Sequence, residues 1–225
     1  MSKPARDTHD HQASDMTSKV IVDFDKLIAQ APAQPEPVKG AGSAPRAVSH
    51  STGLPKRYRD EWPRPEDHIW SRHFSKLMAG VDSGGIIALI GPRGTGKTRL
   101  AAEALRNFSP DKGLYVTAMG LFLRIRASFG KISRETESDI VNELAGAPIL
   151  ILDEIQERSN SAWEDRVLTH IIDRRYGSMA PTIVIANLTL ADLVASLGES
   201  IASRITETGG AIEIAGPSHR IPNRS

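Results

Sequence analysis

Between Gly85 and Gly216 the chain carries five short, almost unbroken apolar runs, and these constrain its fold more than any other feature. They read GIIALIG (Gly85 to Gly91), GLYVTAM (Gly113 to Met119), PILILDE (Pro148 to Glu154), PTIVIAN (Pro181 to Asn187) and GAIEIAG (Gly210 to Gly216). Runs of this kind suit strands buried on both faces. Helical patterns separate them, including an amphipathic one from Trp163 to Tyr176. The alternation predicts an α/β fold, a mostly parallel sheet with helices on both sides.

Residues 1–53 have a different texture, rich in Ala, Pro, Ser and Gln. The stretch APAQPEPVKGAGSAP reads as a flexible, partly polyproline linker with too little apolar area to repay its ordering entropy. One exception lies inside it. In TSKVIVDFDKLIAQA, Val20, Ile21, Phe24, Leu27 and Ile28 fall at helical spacing, which predicts a short amphipathic helix over about residues 18–31. That helix either folds back on the body or docks, tethered, in a partner's groove. The hydrophobic content of 40% with 24% charge describes an ordinary globule. A net charge of +1 means that nucleic acid binding must come from a local basic patch. The absence of cysteine excludes a disulfide framework and a cysteine-ligated zinc, and fits a reducing cytoplasm. No apolar run approaches the ~20 residues of a membrane span, and the N-terminus is too polar for a secretory signal. A cytoplasmic protein with no membrane partner is expected.

The first apolar run leads into GPRGTGKT, Gly91 to Thr98, which matches the phosphate-binding pattern G-x-x-x-x-G-K-[ST] between a strand and a helix. The candidate nucleotide contacts are Gly91, Pro92, Arg93, Gly94, Thr95, Gly96, Lys97, Thr98 and Arg99. Gly94 and Gly96 let the backbone curl so that N–H groups point at phosphate oxygens. Lys97 brings charge to the β- and γ-phosphates, and the Thr98 hydroxyl is the first candidate Mg²⁺ ligand. The third run ends in Asp153, the second candidate ligand, and Glu154, placed to polarise an attacking water. The fourth ends in Asn187, whose amide either holds that water or caps the following helix, NLTLADLVASL.

These pieces together resemble AAA+ ATPases of the bacterial DnaC/IstB type. The resemblance covers about Leu54 to Arg220 and rests on GLPKRYRD, IGPRGTGKTRLAAEA, LYVTAMGLFLRI, ILILDEI, IIDRRYGSMAPTIVIANLT and LGESIASRI in that order. It implies an ATPase domain over 54–220, a five-stranded parallel sheet flanked by helices without a helical lid, and a C-terminal tail over 221–225. It implies ATP and Mg²⁺ as cofactors, with GLPKRYRD flanking the adenine. Arg204 stands where the family places an arginine finger, which implies a homo-oligomer with active sites completed between copies. The competing reading of Arg204 is a surface ion pair with Glu199 or Glu207. Arg220 matches a second family arginine that senses nucleotide. Arg174 and Arg175 complement the C-terminus of their own helix on a plainer reading.

Helicase loaders of this family bind single-stranded DNA, and the corresponding stretch here is GLFLRIRASFGK. It interleaves rings with cations, the combination that stacks bases and tracks phosphates. At helical spacing Phe122, Arg126 and Phe129 share one side and Arg124 lies apart. The candidate DNA contacts are Arg126, Phe129 and Lys131, with Tyr176 and Ser178 added by the resemblance. Three readings follow. One is a loader of a replicative hexameric helicase, gripping it through the N-terminal helix. Another is a transposition regulator that acts on duplex DNA and recruits a transposase. The last is an adaptor that binds ATP as a switch with little hydrolysis.

Overall fold

The computed structural model describes residues 52–60, 68–130 and 133–216. The predicted helix at about 18–31, Lys131 and Arg220 lie outside the described residues. A short helix α1 (Lys56–Arg59) and α2 (His68–Asp82) precede β1 (Ile86–Ile90). There follow α3 (Lys97–Phe108), β2 (Leu114–Thr117), α4 (Ala118–Ser128), α5 (Glu137–Gly146) and β3 (Leu150–Asp153). A 3₁₀ turn (Ile155–Glu157), α6 (Ala162–Gly177), β4 (Thr182–Ile185), α7 (Leu190–Thr208) and β5 (Ala211–Glu213) complete the order.

All five apolar runs form strands, and the strands make one parallel sheet in the order β2-β3-β4-β1-β5. Their unbroken hydrophobicity has a direct cause in the packing. Ile86, Ala88 and Ile90 of β1 face a core shared with α4, α5, α6 and α7. Ile87 and Leu89 face the opposite core, shared with α2, α3 and Leu54. Leu150 and Leu152 of β3 join the first core, Ile149 and Ile151 the second. Alternate side chains of one strand therefore enter different layers, and both faces are predominantly apolar.

Local signals fix the helix starts. Thr117 caps α4 through Gly120 N–H (3.1 Å). Thr136 and Asp139 form a reciprocal capping box on α5, and Ser161 caps α6 through Glu164 N–H (3.2 Å). Thr189 caps α7 by accepting the N–H of Asp192 at 3.2 Å. Asn187, two residues earlier, therefore does not serve as the cap. Within α7 the backbone leaves helical geometry at Gly198 (φ 78°, ψ 161°), so the Leu-Gly-Glu run is a break between two helical arms.

Arg175 differs from the sequence expectation. Its side chain is fully buried, and it serves α5 rather than its own helix. It donates to Leu144 O (2.7 Å), Ala147 O (2.8 Å), Pro181 O (2.7 Å) and Thr182 Oγ1 (2.7 Å). One guanidinium thus satisfies the orphan carbonyls at the end of α5 and the backbone that leads into β4. Burial pulls its pKa down to about 10. Arg174 instead donates to Asn142 Oδ1 at 2.6 Å.

Candidate nucleotide site

The phosphate loop leaves the carboxyl end of β1, where ligands of open parallel sheets bind. Gly91 has φ 125°, and a Cβ there would stand 2.4 Å from Ile214 O, so the loop must begin with glycine to pass β5. Gly96, the N-cap of α3, is also left-handed (φ 95°) and provides no side-chain cap. The first-turn N–H groups of α3 are thus left to an anion at the positive end of the helix. Lys97 is buried, its Nζ donating to Gly91 O (2.8 Å) and Pro92 O (2.6 Å) across the loop.

Asp153 ends β3 beside this loop. Its Oδ2 accepts the Thr98 hydroxyl at 2.8 Å, which brings the two sequence-predicted Mg²⁺ ligands together from positions 55 residues apart. Among the described residues no group of three or more His, Cys, Asp or Glu could hold a metal. A hydroxyl and one carboxylate suit a hard cation that takes its other ligands from phosphate and water, as Mg²⁺ does. The donor set and the uncapped helix start fit Mg-ATP.

Sequence reasoning missed Tyr115. Its hydroxyl donates to the same Asp153 oxygen at 2.9 Å, so Oδ2 is held from two sides. Burial, followed by the charge of Asp153, raises the Tyr115 pKa, keeping the phenol a donor. Its only sequence signal was a hydroxyl-tipped ring inside an otherwise apolar strand.

Glu154 is exposed and adopts a left-handed conformation (φ 53°, ψ 44°). Its N–H donates to Asp153 Oδ1 at 2.7 Å. A non-glycine residue in this region is strained, and such strain gathers at functional sites. Glu154 thus directly follows the Asp153 carboxylate that holds Thr98, at the point where the chain turns off the sheet edge. Asn187 follows β4 on the adjoining strand, its N–H donating to Gln156 Oε1 at 3.1 Å. Arg93 pairs with Glu157 (2.5 Å), and the guanidinium of Arg99 lies 5.3 Å from the centroid of the Tyr58 ring. Tyr58 belongs to α1, whose last carbonyls Arg106 Nη2 gathers at Tyr58 O (2.9 Å) and Asp60 O (3.1 Å). The GLPKRYRD segment is thereby fastened to α3, the helix of the phosphate loop.

Arg204 is placed elsewhere. Its helix arm runs to the amino edge of the sheet, where Thr208 Oγ1 accepts the N–H of Ile86 (2.9 Å), the first residue of β1. The phosphate loop leaves the other end of that strand, about 13 Å from Ile86 for four steps of ~3.3 Å. Arg204 Nη2 pairs with Asp173 Oδ1 (2.9 Å), Nη1 donates to Ser200 O (2.7 Å), and the guanidinium covers the Tyr176 ring at 5.5 Å. The partner is thus Asp173, not Glu199 or Glu207. Glu207 accepts the Tyr176 hydroxyl instead (2.9 Å).

The candidate DNA residues form two separate groups. Arg126 pairs with buried Glu164 (3.1 Å), and Phe129 packs edge-on against Trp163 at 6.1 Å, with 62% of its surface exposed. Phe122 meets the same Trp163 (5.7 Å) but is buried in the core. Arg124, on the other side of α4, binds Glu135 and Glu143. Tyr176 lies beside Arg204, and the Ser178 hydroxyl donates to Arg174 O (2.9 Å). These two stand at the opposite end of α6, about 18 Å along the helix from Glu164.

No helix among the described residues is long and apolar enough to cross a membrane. Residues 74–225 match the family described as IstB-like ATP binding protein. The replicative helicase loader DnaC of Buchnera aphidicola subsp. Baizongia pistaciae (strain Bp) is 31% identical over 139 residues, 60% of this chain and 54% of that protein. The chain therefore spans about half the length of that relative. A crystal structure of the DnaC helicase loader superposes with a TM-score of 0.59 at 24% identity, covering 72% of this chain and all (100%) of that one. The replication initiator DnaA bound to AMPPCP and single-stranded DNA gives 0.57 at 18%, covering 73% and 51%. Both share the fold. With the phosphate loop, the Asp-Glu pair and the parallel sheet in place, the chain belongs to the IstB-like ATP-binding proteins, AAA+ ATPases of the DnaC/IstB type.

Proposed function

We propose that this chain binds and hydrolyses ATP between neighbouring copies, binds single-stranded DNA, and loads a replicative hexameric helicase in the cytoplasm. The observation that carries the hydrolysis is the 2.8 Å contact of Thr98 with Asp153 beside the strained Glu154. When bound, Mg-ATP supplies the electrophilic γ-phosphoryl group and the charge neutralisation around it. Thr98 and Asp153 would hold the cation, Lys97 and the loop N–H groups would hold the phosphates, and Tyr115 fixes the Asp153 carboxylate. Glu154 accepts a proton from the attacking water, and the Asn187 amide orients that water in line. The guanidinium of Arg204 acts on the γ-phosphate of an adjoining copy, the role that the family resemblance implies for it.

Similarity to the helicase loader DnaC supports the loading role. Full-length protein tests it through Mg-dependent ATPase, binding to labelled single-stranded oligonucleotide, and pull-down of the host helicase with and without residues 1–31. Loss of helicase capture on truncation, with ATPase intact, is the expected result. Retained capture would remove the N-terminal helix from the account. The family description also supports a second reading, a transposition ATPase. Preference for duplex over single-stranded DNA, with capture of a transposase, would favour it.

A further inference from the structure

The backbone of β4 is accounted for only as far as β3 accompanies it. Leu150, Ile151 and Leu152 register with Thr182, Ile183 and Val184, and β3 ends at Asp153 before the chain turns away at Glu154. On the other side β1 still serves, since Ala186 N–H donates to Leu89 O at 3.0 Å. Successive residues of a parallel strand point their N–H groups to alternate sides. The N–H of Asn187 thus faces the side that β3 has left. A side chain fills the gap: Gln156 Oε1 accepts that N–H at 3.1 Å. The other end of the Gln156 amide is fixed as well, because Nε2 donates to Glu157 Oε1 (3.3 Å), the oxygen that also receives Arg93 Nη2 at 2.5 Å. A line of hydrogen bonds therefore runs from Arg93 in the phosphate loop through Glu157 and Gln156 to the backbone of Asn187.

We propose that Gln156 is a positioning residue for hydrolysis, replacing the missing strand partner of Asn187 and so setting the direction of the Asn187 amide. The inference rests on the reading of Asn187 as the residue that orients the water. Gln156 acts on a residue just beyond β4, whose neighbour Ala186 is already paired with β1, so its loss alters where one amide points and leaves the phosphate cradle in place. Turnover is affected, and nucleotide affinity is not.

The test compares full-length Gln156→Ala, Asn187→Ala and the double variant, measuring kcat, KM and the affinity for a fluorescent ATP analogue. Gln156→Ala should lower kcat about 3- to 10-fold, the worth of one hydrogen bond, with KM and affinity within twofold of wild type. The double variant should match Asn187→Ala, because two residues acting through one amide are not additive. An unchanged kcat in Gln156→Ala, or losses that multiply in the double variant, would overturn the inference and leave the role of Asn187 standing. Weakened nucleotide binding in Gln156→Ala would also overturn it, making Gln156 a brace of the phosphate loop. Wild-type turnover in Asn187→Ala would remove the reading of Asn187 and this inference with it.

Discussion

Arg204 and Asp173 form an ion pair of 2.9 Å that joins the second arm of α7 to the C-terminal half of α6. On the proposed trans role of Arg204, this carboxylate competes with the phosphate of an adjoining copy for the guanidinium. Both side chains are partly exposed, at 23% and 43%, and a pair of this kind contributes only about 1 kcal/mol or less. Asp173→Asn should therefore leave folding stability nearly unchanged in urea melts. It should lower, by up to about fivefold, the protein concentration at which ATPase is half-maximal. A higher concentration requirement would mean that Asp173 presents the arginine rather than stowing it.

Glu154 combines strain with chemistry. Glu154→Gln keeps the shape and removes the proposed base, so ATP affinity should persist while turnover falls at least about 100-fold. Glycine adopts the left-handed backbone freely, which offsets the entropy it adds to the unfolded chain. Glu154→Gly should thus stay within about 0.5 kcal/mol of wild-type stability, although the same change elsewhere costs about 0.5–1 kcal/mol. Calorimetry and a coupled ATPase assay measure the two quantities.

Tyr115→Phe deletes one of two hydroxyls that grip Asp153 Oδ2. The expected result is an Mg²⁺ half-saturation raised about fivefold, the equivalent of one hydrogen bond, with ATPase at saturating Mg²⁺ little altered. The raised pKa of this phenol has a definite sign. Above pH ~10 the unfolded chain releases the proton before the folded one, so stability falls as pH rises there. Tyr115→Phe should show a shallower alkaline decline in chemical melts.

Arg175→Lys keeps the charge but cannot reach four acceptors with one planar fork. It leaves buried carbonyls at the end of α5 unpaired, at about 1–3 kcal/mol each. A loss of about 3 kcal/mol in urea unfolding is expected, and a loss below 1 kcal/mol would show that the site relaxes around an ammonium.

The strands and the phosphate loop were legible because each is written in adjacent residues. Burial on both faces leaves an apolar run, and a loop that curls around phosphate leaves glycines at fixed spacing. The partners of those residues were not legible. Tyr115 reaches Asp153 across 38 positions, Arg204 reaches Asp173 across a helix pair, and Arg175 caps α5 from 28 residues or more away. Such contacts are set by strand order and helix packing, which periodicity does not encode. Asn187 shows the same limit at short range. Its residue type suited a cap, but the cap fell to Thr189, whose hydroxyl reaches Asp192 N–H where the helix begins.

The central claim is that one copy holds ATP and an adjoining copy completes its site. Mixing two inactive full-length variants tests it most directly. Lys97→Ala cannot hold ATP but retains its arginine finger, and Arg204→Ala holds ATP but lacks the finger. ATPase in the mixture should exceed the sum of the two variants measured alone at the same total concentration. Activity no greater than that sum, or an Arg204→Ala protein that hydrolyses ATP at the wild-type rate, would contradict the account.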